Sequence, residues 1–136
     1  MKSASNRLLV VDDEAGIRKF FSIVAKQIGY EVRAAGNEEE FAAEVENFNP
    51  TALILDLNMP GSGGVEMLQY LAKERSEAQV IVISGADTRV LDAAERLGSS
   101  QGLQMAGVLR KPMSLRDLEA ALNSMMSKTV TEVLTS

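Results

Sequence analysis

Side chains that could carry phosphoryl or metal chemistry follow four separate apolar runs in this sequence of 136 residues. They are Asp12 with Asp13, then Asp56, Ser84 and Lys111. The chain has no histidine and no cysteine, so carboxylates, hydroxyls and lysine are the groups that remain for chemistry. Histidine catalysis, histidine-bound metals and disulfides are therefore excluded.

The three aspartates indicate a divalent cation site if the fold brings them together. Clustered carboxylates repel one another and cannot all stay ionised cheaply without a cation. Mg²⁺ takes a few carboxylate or carbonyl oxygens and keeps water ligands that a phosphate oxygen can replace. Lys111 would supply a positive charge for a phosphoryl oxygen, and the Ser84 hydroxyl could donate to another. The set predicts Mg²⁺-assisted phosphoryl chemistry.

Alternating strand and helix patterns must position these residues. Short apolar runs predict strands at 8–11, 30–35, 53–56, 80–83 and 108–109, the last of them only two residues long. Apolar residues at three-and-four spacing predict a helix after each strand, and Asn37 and Ser114 are expected to cap two of these helices. The predicted buried faces of the helices include Phe20 and Phe21, Val90 and Leu115.

Five strand–helix pairs in strict alternation predict an α/β fold with a parallel sheet, right-handed crossovers and helices on both faces. The expected architecture is a flavodoxin-like (βα)5 doubly wound parallel sheet with strand order 2-1-3-4-5. Such sheets bind ligands outside the carboxyl ends of their strands, and the switch point lies between strands 1 and 3. Asp12, Asp13 and Asp56 would flank that crevice.

Each candidate residue also has a purely structural interpretation when it is taken alone. Asp56 before Asn-Met-Pro-Gly is more often a turn residue, because Asp and Asn commonly begin turns. Residues 12–14 could form a helix N-cap followed by favourable acids. Ser84 before a glycine is more often a loop residue, and Lys111 is more often a solvated charge. These interpretations do not predict that all four positions fall at strand ends on one edge.

Composition limits the cellular location and the partners. A content of 46% hydrophobic and 24% charged residues is typical of one globular domain, which we expect to span 1–126, with 127–136 as a C-terminal tail or linker stub. No apolar run has the length of a membrane span, and residues 1–7 do not resemble a signal peptide, so a cytoplasmic location is expected. A net charge of -5 argues against direct binding to nucleic acid.

Four segments together resemble the receiver domain of bacterial two-component response regulators. They are VVDDE at 10–14, LDLNMPG at 55–61, SGA at 84–86 and LRKP at 109–112. The resemblance covers about residues 7–126. It implies a phosphorylation-activated signalling domain that accepts a phosphoryl group from a sensor histidine kinase or a phosphotransfer protein. It does not imply an enzyme, because the chemistry is limited to transfer onto the domain itself and loss of the group by hydrolysis.

The resemblance also implies a role for each matching acid. Asp56 would be the phosphoacceptor. Asp13 and Asp56 would bind Mg²⁺ directly, together with the backbone carbonyl of Asn58, and Asp12 would act through water. The cofactor expected for this chain is therefore Mg²⁺.

The remaining matches concern the response to phosphorylation. Lys111 would pair with the phosphoryl group, Ser84 would hydrogen-bond it and move, and a cis peptide bond before Pro112 would aim the lysine inward. Helix 4, strand 5 and helix 5 would then present a surface to a downstream protein or output domain, and a homodimer is a further option. Val108 departs from the pattern, because most receivers carry Tyr or Phe three residues before the lysine.

Two other functions stay open on the sequence alone. Val108 motivates a receiver fold that docks a partner without phosphorylation. The acids motivate a small aspartyl-phosphate phosphatase, since a covalent aspartyl phosphate is also a hydrolase intermediate. Against the phosphatase, Leu57 and Asn58 follow Asp56, so no second acid stands two residues on to protonate a leaving group. A flavin protein is disfavoured, because the chain has no tryptophan to stack on a flavin.

Overall fold

Strands and helices alternate strictly in this computed structural model, which describes residues 6–59, 63–85 and 88–126. The strands are β1 (Arg7–Val11), β2 (Glu31–Ala35), β3 (Ala52–Asp56), β4 (Gln79–Ser84) and β5 (Gln104–Arg110). The helices are α1 (Ala15–Ile28), α2 (Glu38–Phe48), α3 (Gly64–Lys73), α4 (Thr88–Ser100) and α5 (Leu115–Ser124). The expected tail at 127–136 lies outside the described residues, so that boundary stays a prediction.

The five strands form one parallel sheet in the order β2-β1-β3-β4-β5, which confirms the predicted fold class. β1 lies between β2 and β3, and β4 follows β3. Asp56 at the end of β3 pairs with Ile83 of β4, and Ser84 pairs with Arg110 of β5. The ends of these strands therefore lie side by side along one edge, where their polar side chains can meet.

Side chains of the central strands alternate between two apolar cores, one on each face of the sheet. Leu53 and Leu55 of β3 pack with α2, α3 and α4, whereas Ile54 packs with α1 and α5. Every residue of β3 is buried, as expected of a strand covered on both faces. Burying one such side chain contributes about 2 kcal/mol, so this strand anchors the acid at its end in a well-packed core.

The predicted helix caps at Asn37 and Ser114 are present. Asn37 Oδ1 accepts a 2.8 Å hydrogen bond from the backbone N–H of Glu40, and Ser114 Oγ accepts one of 3.0 Å from Asp117. The Glu40 carboxylate also accepts from the N–H of Gly36 at 2.7 Å. These bonds satisfy amide groups that have no partner within the helix, and they explain why the pattern of residue types was sufficient to place both helix starts.

β5 is longer than the two residues that the sequence predicted. It spans seven residues at the edge of the sheet, and its side chains alternate between exposed and half-buried positions. Its first half therefore carries no apolar run that would mark a strand. Gly107 has a φ of +150° beside a shift in register against Val80 and Ile81, and this bulge allows pairing to continue on either side.

Three residues that were predicted to be buried are exposed: Phe20 at 44%, Val90 at 44% and Leu115 at 50%. On α1 the neighbouring Phe21 is buried as predicted, and on α4 Leu91 is buried in place of Val90. Each step along a helix turns the face by about 100°, so residues at the border of an apolar stripe are not distinguished by spacing alone. Within the described ranges, no helix has the length and apolarity needed to cross a membrane.

Candidate functional site

The three predicted acids meet at the carboxyl edge of the sheet. Asp12 follows β1 and Asp56 ends β3, and each is 1% exposed, whereas Asp13 is exposed. One carboxylate oxygen from each of the three residues lies within 4.8 Å of the others. Their proximity follows from strand order, because β1 and β3 are neighbours and end at the same level. The structure thus forms a three-carboxylate cluster with two buried members and one open to solvent.

Local backbone turns orient the two buried carboxylates. Asp12 Oδ1 accepts a 2.9 Å hydrogen bond from the N–H of Glu14, and Asp56 Oδ1 accepts one of 2.9 Å from Asn58. In both cases the donor lies two residues on, which is the arrangement of an Asx turn. Asn58 itself is exposed in the loop after β3. Each aspartate thus uses one oxygen as a turn residue and leaves Oδ2 for another partner.

Lys111 is that partner for both carboxylates. Its Nζ lies 2.9 Å from Asp12 Oδ2 and 3.2 Å from Asp56 Oδ2, with Glu14 Oε1 farther away at 3.8 Å. The backbone N–H of Lys111 donates to the carbonyl of Ser84 at 2.9 Å, which extends the pairing of β4 and β5 by one step. The peptide bond between Lys111 and Pro112 is cis. The lysine is the counter-ion of the buried acids.

Burial and charge shift the ionisation of this pair. Burial raises the pKa of Asp56, and the charge of Asp12 raises it further, against the opposing effects of the Asn58 N–H and Lys111. Burial alone would lower the pKa of Lys111, but its ion pair with Asp12 and the charge of Asp56 outweigh that cost and raise it. Burial thus disfavours the negative charge of Asp56, whereas the two carboxylates favour the positive charge of Lys111.

The donor set fits a hard divalent cation. Asp12 Oδ2 is fully buried and, among the described residues, has no aligned hydrogen bond, only the ion pair with Lys111. Within the same ranges the Asp13 carboxylate has no hydrogen bond or ion pair, although it lies beside the other two acids. Carboxylate oxygens in this number and spacing are ligands for Mg²⁺-like ions. A bound cation and its water ligands would satisfy both groups.

Ser84 and Val108 lie on neighbouring strands, one at the site and one away from it. Ser84 ends β4 and is fully buried next to the strand end that carries Asp56. Val108 pairs with Val82, two residues before Ser84, and is 36% exposed. The side chain at position 108 is thus open to solvent beside the strand that carries the serine.

One residue at the site was missed by the sequence analysis. Arg18 of α1 donates a 2.8 Å hydrogen bond from Nη1 to the backbone carbonyl of Asp12. No spacing rule connects a helical arginine with a carbonyl six residues earlier, across the turn that begins the helix. A single sequence therefore carried no signal that could have identified it.

Comparison with known proteins agrees with this geometry. The sequence model described as Response regulator receiver domain matches residues 8–123. The chain is 32% identical to a probable transcriptional regulator ycf27 of Cyanophora paradoxa, over 100% of this chain and 54% of that protein. It is 28% identical to the phosphate regulon transcriptional regulatory protein PhoB of Pseudomonas aeruginosa, over 90% of this chain and 52% of PhoB. The chain thus spans about half the length of these curated relatives.

A solved structure gives the same result for the fold. The response regulator signal receiver domain from Bermanella marisrubri superimposes with a TM-score of 0.76 at 25% identity, covering 91% of this chain and 100% of that one. The family match, the curated relatives and this solved structure therefore all agree with the observed strand order.

Proposed function

Because this chain belongs to the family of response regulator receiver domains, we propose that it accepts a phosphoryl group on Asp56 in a Mg²⁺-dependent reaction and transmits the modification as a signal. One observation carries the proposal. The Asp56 carboxylate lies at the carboxyl end of β3 with Oδ2 3.2 Å from the Lys111 ammonium and close to the oxygens of Asp12 and Asp13. This arrangement supports roles for Asp56 as the nucleophile, Lys111 as the counter-charge and the acids as cation ligands.

The side chains divide the chemistry among themselves. Asp13, Asp56 and the backbone carbonyl of Asn58 would hold Mg²⁺ directly and Asp12 through water, and the bound ion would neutralise charge between the carboxylate and the phosphoryl oxygens. A carboxylate oxygen of Asp56 attacks phosphorus, and the bond from phosphorus to the donor breaks. With a phosphohistidine donor the leaving imidazole nitrogen regains its proton from water. Lys111 then pairs with a phosphoryl oxygen.

Phosphorylation replaces a carboxylate with a dianionic group, and this change is the signal. The Ser84 hydroxyl, which is buried at the end of the neighbouring strand, would donate a hydrogen bond to a phosphoryl oxygen and move when that group arrives. Its movement would shift the end of β4 and the neighbouring β5, which carries Val108. We assign α4, β5 and α5 as the surface that a downstream protein, an output domain or a second copy would recognise. Because two relatives are named as transcriptional regulators, we propose an output domain as one such partner.

The proposed donor is a sensor histidine kinase or a phosphotransfer protein in the cytoplasm. The phosphoryl group stays on the domain's own side chain, so we do not propose turnover of an external substrate. The alternative of a docking module rests on Val108, whose small and exposed side chain differs from an aromatic switch residue. Partner binding that is equally strong before and after phosphorylation would favour that alternative.

The test is incubation with acetyl phosphate and Mg²⁺, followed by mass spectrometry of the intact chain. We expect the mass to rise by one phosphoryl group, and we expect no rise when EDTA is present during the incubation or when Asp56→Asn is used. Asp92→Asn is the matched control, because Asp92 is an exposed aspartate on α4, away from the cluster. Modification that persists in Asp56→Asn, or that does not need Mg²⁺, would contradict the proposal.

A further inference from the structure

Arg18 contacts the peptide group that joins two of the acids. Its Nη1 donates a 2.8 Å hydrogen bond to the carbonyl oxygen of Asp12, and that carbonyl belongs to the peptide linking Asp12 to Asp13. A peptide group is planar, so a bond that fixes its carbonyl also fixes the direction in which the next residue leaves. The direction of Asp13 from the sheet edge therefore depends on the position of the Arg18 guanidinium.

Asp13 needs this support more than Asp12 does. The Asp12 backbone N–H donates to Ala35 at 3.1 Å, and its carboxylate is held by the Glu14 N–H and by Lys111. In the described part of the chain the Asp13 carboxylate has no comparable contact. Its distance to the other two acids is consequently set by its backbone.

The turn between β2 and α2 holds the guanidinium in place. A Cβ atom at Gly36 would lie 2.8 Å from Arg18 Nη1 and 3.2 Å from its Cζ, so the guanidinium packs directly on the glycine backbone. Gly36 is held in turn by its hydrogen bond to Glu40. A side chain at position 36 would push the guanidinium away from its present place.

We propose that Arg18 is a positioning residue for the divalent cation, which it serves by holding the Asp12–Asp13 peptide so that Asp13 faces Asp12 and Asp56. This inference rests on the cation site of the proposed function. It predicts a change in Mg²⁺ affinity opposite in direction to the one that electrostatics alone predicts. Removing a positive charge near a cation site strengthens cation binding by Coulomb's law, whereas loss of a positioning residue weakens it.

The experiment is a calorimetric titration of the full chain with Mg²⁺. We expect Arg18→Met to raise the Mg²⁺ Kd about tenfold, the lower end of the loss seen when a group supporting a metal ligand is removed. Gly36→Ala should raise it as well, because the added Cβ displaces the guanidinium while the arginine and its charge remain. A cooperative thermal unfolding transition would establish that each variant is folded.

Two matched controls should leave the Mg²⁺ Kd unchanged. Gly16→Ala makes the same substitution on α1, where a Cβ meets nothing within 4 Å. Arg33→Met removes an arginine that pairs with Glu44 at the surface. Unchanged or tighter Mg²⁺ binding in folded Arg18→Met and Gly36→Ala overturns the inference, even if their Tm falls. Absence of Mg²⁺ binding by the unmodified chain would instead refute the proposed function, and the inference with it.

Discussion

The ammonium group of Lys111 lies 3.2 Å from Oδ2 of Asp56, although the two residues are 55 positions apart. The contact arises because β4 separates β3 from β5 in the sheet, and the strand ends share one edge. In the absence of a divalent ion, the lysine balances part of the negative charge of the buried acids. This internal counter-ion determines how the site should respond to substitution, pH and metal.

Substitution of Lys111 by Met should destabilise the metal-free protein by about 3 kcal/mol, because it leaves two buried carboxylates without their partner. Mg²⁺ should restore more stability to this variant than to the unmodified chain, since it supplies the missing charge. Urea unfolding in EDTA and in Mg²⁺ measures both effects. Lys19→Met is the control, as Lys19 is exposed on α1. Equal stability of Lys111→Met and the unmodified chain in EDTA would contradict the role of Lys111 as counter-ion.

Asp56→Asn should stabilise the metal-free protein at neutral pH. The raised pKa of Asp56, caused mainly by burial, means that its ionised form is less favourable in the folded chain than in the unfolded one. The stability lost to ionisation returns as pH falls toward the ordinary value of 3.8, so the advantage of the variant should shrink on acidification. Unfolding curves in EDTA across this range measure the difference. If the stability advantage of Asp56→Asn instead grows as pH falls, the pKa of Asp56 is not raised in the folded chain.

Asp13→Asn should weaken Mg²⁺ binding by more than the roughly tenfold loss typical of a supporting residue, because it removes a ligand. In EDTA the free energy of unfolding should not fall, because Asp13 is exposed and its removal relieves repulsion with the two buried acids. Calorimetry and urea unfolding give the two numbers. Glu14→Gln removes one charge from the neighbouring exposed residue and should have the smaller effect on Mg²⁺ affinity; the reverse order would exclude Asp13 as a principal ligand.

Tyr30→Phe should cost about 1 to 2 kcal/mol of stability, because it leaves a buried carbonyl without its donor. The Tyr30 hydroxyl donates a 2.6 Å hydrogen bond to the carbonyl of Leu122 and so ties α5 to the start of β2. Burial raises the pKa of Tyr30 from 10.0 to about 12, so the unfolded chain ionises first and the advantage of the tyrosine should decline from pH 10 to pH 12. Unfolding at several pH values tests both statements. Tyr70→Phe is the control, since its hydrogen bond is 3.5 Å long.

Much of the fold was predictable because its signals are local. The apolar run before Asp56 and the caps at Asn37 and Ser114 depend on residues within a few positions of one another, and each is present in the structure. The length of β5 was underestimated because its local sequence lacks such a signal. An edge strand needs no continuous apolar run, because pairing with β4 holds it and one side is open to solvent.

By itself the sequence determined the alternation of strands and helices and the kinds of group at the strand ends, since periodicity and turn preference act over short distances. Only the tertiary structure decided that Lys111 is shared by Asp12 and Asp56 and that Arg18 holds the carbonyl between the two neighbouring acids. These contacts join atoms on different elements, and their distances follow from strand order, register and the packing of α1 against the sheet. No pattern within a short window contains that information.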